Sequence, residues 1–288
     1  MSIQISEQQV KAYERDGAIV LRQVIDRRWI EKLREGLETL LANPQWIYEE
    51  YDPESKVPGK GRFVNAVYMH KNIPPFMDFA KEGPCPEIAA RLMRSKEVRF
   101  FLDQTLIKEG GTRRPTYWHQ DKIVNAIDGR QNCTTWIPLD PVPLRSAVEY
   151  VRGSHHWNVT YAYFNSLKER KKYAGTQPPA PDIDGHRDSF KVLSWSTKPG
   201  DVVVFPDTTL HQGKADIDLN ERRRILIFRW IGDDATYSLR EPAAEYPLAL
   251  PPGIQHGDSF SKFEQDFPRL WPRERRERSV AQFHRVSA

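Results

Sequence analysis

With 288 residues, 39% hydrophobic and 28% charged, the chain can hold one large domain and is too apolar to be disordered. A net charge of +4 suits a small anionic ligand but is too weak to indicate nucleic acid; the nearest basic run, Arg273 to Arg278, is diluted by two glutamates. No apolar run reaches membrane-spanning length, the first residues lack the basic and apolar regions of a leader, and Cys85 and Cys133 make no disulfide framework, so a reducing, cytoplasmic setting is expected.

Ser6 with Gln9 three residues on spells a capping box, predicting a helix to about Arg15 that Asp16-Gly17 stops. Ala18 to Leu21 reads as a short strand. Asp26 opens a second helix, with Trp29, Ile30, Leu33, Leu37, Leu40 and Leu41 at helical spacing and Asn43-Pro44 at its end. Residues 45–72 read as irregular and charged, with a turn at Pro58-Gly-Lys-Gly61. Prolines open two more short helices, Pro74 to Lys81 and Pro86 to Met93, so residues 1–96 form a mainly helical N-terminal part.

The pattern then changes. Strand signals run over Glu97–Lys108, Arg114–His119, Thr134–Leu139, Ala147–Val151, Lys191–Trp195, Asp201–Phe205 and Arg224–Ile231, separated by glycine, proline and aspartate turns. That density of strands over 97–235 predicts a sandwich or barrel. Residues 157–190 interrupt it with Tyr161, Tyr163, Phe164, a Lys/Arg-rich helical piece and prolines at 178–181. Such an insertion reads equally as a binding lid and as a surface excursion. Residues 236–288 form a C-terminal extension, and the whole reads as one domain.

The chemistry concentrates at Tyr117-Trp-His119-Gln-Asp121. On a strand, residues i and i+2 share a face, so His119 and Asp121 converge. An imidazole, a carboxylate and one more histidine make a facial triad for iron(II) with open positions. Of the eight histidines, His211 stands out, because it follows an apolar strand launched by the Pro199-Gly200-Asp201 turn. His70, His155, His156, His186, His256 and His284 lack such a context. Alone, His211 reads as a structural histidine and the HxD as chance; the order of the two segments gives the signal. Downstream, Arg222-Arg223-Arg224 abuts an apolar strand. At least one of these side chains should point inward, where a buried guanidinium needs an anionic partner.

These segments, with Thr135-Trp-Ile-Pro-Leu-Asp140, Arg152-Gly-Ser-His155 and the strand ending Phe-Arg-Trp-Ile-Gly-Asp-Asp234, resemble the phytanoyl-CoA dioxygenase family over roughly residues 6–235, in family order. The resemblance implies a mainly β fold with N-terminal helices around a double-stranded β-helix, the cupin-like jelly roll. It implies iron(II), 2-oxoglutarate as cosubstrate and dioxygen, with ascorbate helpful in vitro. His119, Asp121 and His211 would be the metal ligands. Arg223 would bind the far carboxylate of 2-oxoglutarate; counting forward from His211 favours Arg222 instead, and strand parity leaves both open. Trp136, Thr134 and Gln104 would line the cosubstrate site, though a plain core role fits these three as well.

The implied reaction is hydroxylation of an unactivated C–H of a small metabolite or natural product, with release of succinate and carbon dioxide. Asp121 favours hydroxylation over the halide transfer of relatives that lack the carboxylate. An acyl-CoA substrate is not implied, because no basic patch is dedicated to its phosphates. Tyr161, Tyr163, Phe164, Lys122 and Asn125 are candidates to face the substrate, and Arg113-Arg114 to meet an anionic group. Two other readings remain: a cosubstrate-independent cupin metalloenzyme, and a non-catalytic small-molecule-binding jelly roll. The expected partner is a small molecule, without nucleic acid or membrane, and oligomeric state is not legible.

Overall fold

The computed structural model describes residues 3–51, 61–112, 114–164, 176–214, 217–239 and 248–273. Helix α1 (Glu7–Asp16) is closed at its start by the reciprocal Ser6–Gln9 capping box and at its end by Gly17 in the left-handed region. Strand β1 (Ile19–Leu21) leads to α2 (Arg27–Leu41), whose first turn is capped by the Asp26 carboxylate. Then come β2 (Glu49–Tyr51), β3 (Phe63–Val67), α3 (Pro74–Glu82) and α4 (Cys85–Met93).

The second part holds β4 (Val98–Lys108), β5 (Thr116–His119), the one-turn α5 (Lys122–Asn125), β6 (Ile127–Asp128), β7 (Asn132–Pro138) and β8 (Val148–Val151). It continues with β9 (Val192–Ser194), β10 (Val202–Phe205), β11 (His211–Gly213), β12 (Arg223–Ile231), β13 (Thr236–Tyr237) and β14 (Arg269–Trp271).

The strands form a major sheet in the order β1-β10-β7-β12-β4-β3-β2, with β14 also on β4, and a minor sheet in the order β5-β11-β8-β9. Every pairing within them is antiparallel. This is the jelly roll expected from the sequence. The outer face of the major sheet presents Leu226, Phe228, Trp230, Phe100 and Val204 to the helices, among Leu33, Leu37, Phe76, Phe79 and Ile88. Its inner face presents Trp136, Val203, Phe205, Ile225 and Ile227 to Tyr150 of the minor sheet. With both faces covered, each fully buried side chain of this size contributes about 1.5–3 kcal/mol of transfer free energy.

Residues 45–72 correct the sequence reading. They hold β2 and β3, and β3 pairs with β4 from Phe63 opposite Lys108 to Val67 opposite Gln104. Because β3 is buried along nearly its whole length, its sequence lacks the alternation that marks a half-exposed strand. The N-terminal part therefore supplies strands to the major sheet as well as helices. Strand β12 begins at Arg223, one residue earlier than expected. Cys85 and Cys133 are both free and buried. The turn at 58–60, Arg113, the Lys/Arg-rich piece of the insertion, residues 274–278 of the basic run and His284 lie outside the described residues.

Candidate metal centre

The site sits between the two sheets, where β5, β11 and β8 run side by side. The Cα of His211 lies opposite that of His119 on one flank and that of Tyr150 on the other, so these three side chains share the inner face. Asp121 follows β5 on the turn into α5. One ligand atom from each of His119, Asp121 and His211 lies within 4.8 Å of the others, and all three residues are buried.

The hydrogen bonds select the ligand atoms. His119 Nδ1–H donates to the Tyr117 carbonyl at 2.7 Å, and His211 Nδ1–H donates to the Thr209 carbonyl at 2.9 Å. Each imidazole therefore turns its Nε2 lone pair toward Asp121 Oδ1, at 3.7 and 3.9 Å. Two neutral imidazoles and a carboxylate form a donor set for a divalent iron. Burial and then the neighbouring His119 lower the His211 imidazole from its ordinary value to about 3, against the pull of Asp121. Burial opposes ionisation of Asp121, but the Arg229 charge, followed by the two histidines, holds its carboxyl well below the usual carboxylate range.

The outer oxygen of Asp121, Oδ2, accepts from Arg229 Nη2 at 3.2 Å and from Thr134 Oγ1 at 3.4 Å. Arg229 Nη1 donates to Gln104 Oε1, and Gln104 Nε2 donates to Asn65 Oδ1, both at 2.8 Å. Thr134 supports Asp121 directly and Gln104 supports it through Arg229. Trp136 lies on the same inner face, opposite Ile227 and Val203, packed among Tyr150, Phe205 and Ile225. Arg229 and Asn65 were not singled out from the sequence. A signal for Arg229 was present, as one charge inside the apolar run Ile225 to Ile231.

The triple arginine separates cleanly. Arg223 points inward and is buried; its Nη1 donates to the Ser146 and Lys214 carbonyls. Arg222 points outward to Glu38 at 2.9 Å and Glu109 at 3.6 Å, and Arg224 to Asp140 at 2.7 Å and Glu38 at 2.8 Å. Burial alone lowers the Arg223 guanidinium to about 10. Among the described residues, no carboxylate lies within ion-pair distance of it, and its Nε and the buried Tyr150 hydroxyl have no protein hydrogen-bond partner. These residues suit a dicarboxylate cosubstrate: a buried cation with carbonyl neighbours, and the three candidate metal ligands, lie between the same two sheets.

A profile of the phytanoyl-CoA dioxygenase (PhyH) family matches residues 13–223. The chain belongs to that family. It is an iron(II)- and 2-oxoglutarate-dependent oxygenase. The ectoine dioxygenase of Sphingopyxis alaskensis is 23% identical over 225 residues, covering 74% of this chain and 72% of its own. That of Nocardia farcinica is 22% identical over 255 residues, covering 83% of each. Among solved structures, the epimerase SnoN of nogalamycin biosynthesis, bound to Fe3+, alpha ketoglutarate and nogalamycin RO, superimposes with a TM-score of 0.69 at 18% identity, over 92% of this chain and 98% of its own. EctD of S. alaskensis, with 2-oxoglutarate and 5-hydroxyectoine, gives a TM-score of 0.66 at 18% identity, over 88% and 87%.

In this PhyH-family chain several motif residues act as scaffold. Asp201 accepts from the Gln23 backbone, the Gln23 and Arg22 side chains and the Lys198 backbone, locking β10 to the chain after β1. Ser154 Oγ accepts from Leu210 N at 2.9 Å, fixing the residue before His211, while His155 and His156 both meet the Glu14 carbonyl. Gln120, between the two ligands of the HxD, donates to the Thr208 carbonyl and accepts from Tyr161 N. Asp233 and Asp234 accept backbone N–H groups at 96–97 and 130–131.

The insertion returns over the metal-site histidines. Tyr163 sits edge-on to His119 with ring centroids 5.3 Å apart, and Tyr161 is buried beneath it among Val151, Ile183 and Leu210. Asn125 is buried at the end of α5, and Lys122 is within 3.4 Å of Asp128. No helix among the described residues is long and apolar enough to cross a membrane.

Proposed function

We propose that the chain hydroxylates an unactivated C–H of a small, partly apolar metabolite, with His119, Asp121 and His211 holding iron(II) and Arg223 binding the far carboxylate of 2-oxoglutarate. The observation that carries this reading is the pair of histidines whose Nδ1–H groups are donated to carbonyls, leaving both Nε2 atoms aimed at Asp121 Oδ1. Bound iron(II) and 2-oxoglutarate, with dioxygen, would supply the oxidation and yield succinate and carbon dioxide.

The chain's own part is position and exclusion of water. Arg223 orients the cosubstrate by a charge-assisted contact on the inner face that it shares with Ile225 and Ile227. Arg229 and Thr134 hold Asp121 by its outer oxygen and leave Oδ1 to the metal. Tyr163 covers the His119 side, where the substrate is to dock. The named relatives act on ectoine, by their names, and the substrate proposed here is likewise compact rather than an acyl-CoA. A reducing cytoplasm suits the two free thiols.

The test is succinate formation from 2-oxoglutarate under air with iron(II) and ascorbate. His211→Ala should abolish it. Arg223→Met should raise the KM for 2-oxoglutarate roughly ten- to hundredfold, as expected for loss of a buried charge contact, whereas Arg222→Met should leave it nearly unchanged. A wild-type protein that neither makes succinate nor binds 2-oxoglutarate anaerobically would refute the proposal.

A further inference from the structure

The geometry points to Lys108 as a second cation of the cosubstrate pocket, which binds the distal carboxylate of 2-oxoglutarate together with Arg223. This rests on the reading of Arg223 given above. Lys108 ends β4 with its Cα directly opposite that of Arg223 on β12 and that of Phe63 on β3. Residues directly opposite on neighbouring strands put their side chains on the same face. For Arg223 that is the inner face, shared with Ile225 and Ile227, so Lys108 enters the pocket beside the guanidinium.

Lys108 is fully buried, at 0% exposure. Its Nζ donates to the Arg114 carbonyl at 2.6 Å and lies 4.4 Å from the centroid of the Phe63 ring. An ammonium has three donors. Neither the carbonyl nor the ring carries a negative charge, and no described carboxylate lies within ion-pair distance of Lys108 or of Arg223. The fold thus brings two buried basic side chains together, and among the described residues carbonyl oxygens and an aromatic ring surround them. Buried charges are retained where they meet an opposite charge, and here that charge is the ligand's.

Burial, followed by the repulsion of Arg223 and Arg114, pushes the Lys108 ammonium well below its ordinary range in the ligand-free protein. The charged groups acting on it, Arg223 on β12 and Arg114 ahead of β5, are both cations, and β3 presents only the Phe63 ring. A carboxylate placed between Lys108 and Arg223 reverses that balance and favours the charged ammonium.

The experiment is an anaerobic titration of the iron(II)-loaded protein, read by the visible charge-transfer band. It compares 2-oxoglutarate with pyruvate, a 2-oxo acid lacking the distal carboxylate. Lys108→Met should weaken 2-oxoglutarate binding roughly ten- to hundredfold and leave pyruvate within about twofold, while Lys108→Arg keeps most of the affinity for 2-oxoglutarate.

Equal 2-oxoglutarate affinity in Lys108→Met and wild type would overturn the assignment while leaving Arg223 intact. A wild type that binds pyruvate and 2-oxoglutarate equally would sink the arginine reading with it. If Lys108→Met does not fold, Lys108→Gln takes its place, and a 2-oxoglutarate affinity equal to that of the wild type overturns the proposal.

Discussion

The two ends of β12 each bury an arginine on the same face, and the two are satisfied in opposite ways. Arg229 has its anion built in: Asp121 on one side, with Gln104 and Asn65 continuing the chain of hydrogen bonds. Among the described residues, Arg223 meets the Ser146 and Lys214 carbonyls and no carboxylate, beside Lys108. One guanidinium is part of the metal centre's framework. The other meets no described carboxylate, which suits the ligand contact proposed for it. A buried cation with no protein anion marks a ligand subsite more sharply than burial or motif membership does, because burying an unpaired charge is otherwise costly.

The largest expected effect breaks this contrast at the metal end. Asp121→Ala removes a proposed metal ligand and takes its carboxylate away from the buried Arg229 guanidinium, so iron binding should be lost and the metal-free fold weakened by about 3–5 kcal/mol. The matched change at the other end, Arg223→Met, should cost the metal-free fold little or stabilise it, since it deletes an uncompensated charge. Denaturant unfolding of both variants, without metal, measures the difference directly; equal losses would erase the distinction between the two ends.

A smaller effect sharpens it. Arg229→Met keeps all three ligands but frees the outer oxygen of Asp121, held then by Thr134 only. Iron(II) affinity should fall roughly ten- to hundredfold, in line with loss of a partner that orients a metal ligand, with 2-oxoglutarate selectivity over pyruvate retained. Competition with a chelator reads the first quantity. Arg223→Met should show the reverse pattern.

The smallest effect is a pH slope. The His211 imidazole is lowered from 6.5 to about 3 in the folded protein, so over that range the unfolded chain takes up a proton that the folded chain does not. Stability of the metal-free protein should be complete above about pH 6.5 and decline as pH falls toward 3. For one such group the slope is at most about 1.4 kcal/mol per pH unit. Unfolding curves between pH 7.5 and 4.5, with His211→Gln flattening the decline, check this.

Much of this was legible in the chain itself. The Ser6 capping box, the Asp26 cap and the apolar spacing of α2 gave helices where they form, because caps and periodicity are local. The HxD and the distant His211 were legible as a metal set because a facial triad admits few residue types. Strand β3 was not, since a short strand buried on both faces carries no alternation. The choice between Arg222 and Arg223 was hidden for the same reason. Strand β12 is apolar on its outer face against the helices, through Leu226 and Phe228, and on its inner face through Ile225 and Ile227. Parity therefore carries no information until the sheet is placed.

Local pattern and demanding chemistry carry most element types, the jelly-roll class and the choice of His119, Asp121 and His211 as a candidate metal set. Tertiary packing settles which arginine faces inward, that Arg229 and Gln104 brace Asp121, and that Lys108 lies abreast of Arg223. Those facts depend on which residues of β3, β4, β7 and β12 come abreast. That register is fixed by packing between segments far apart in the chain, and no single stretch of sequence contains it.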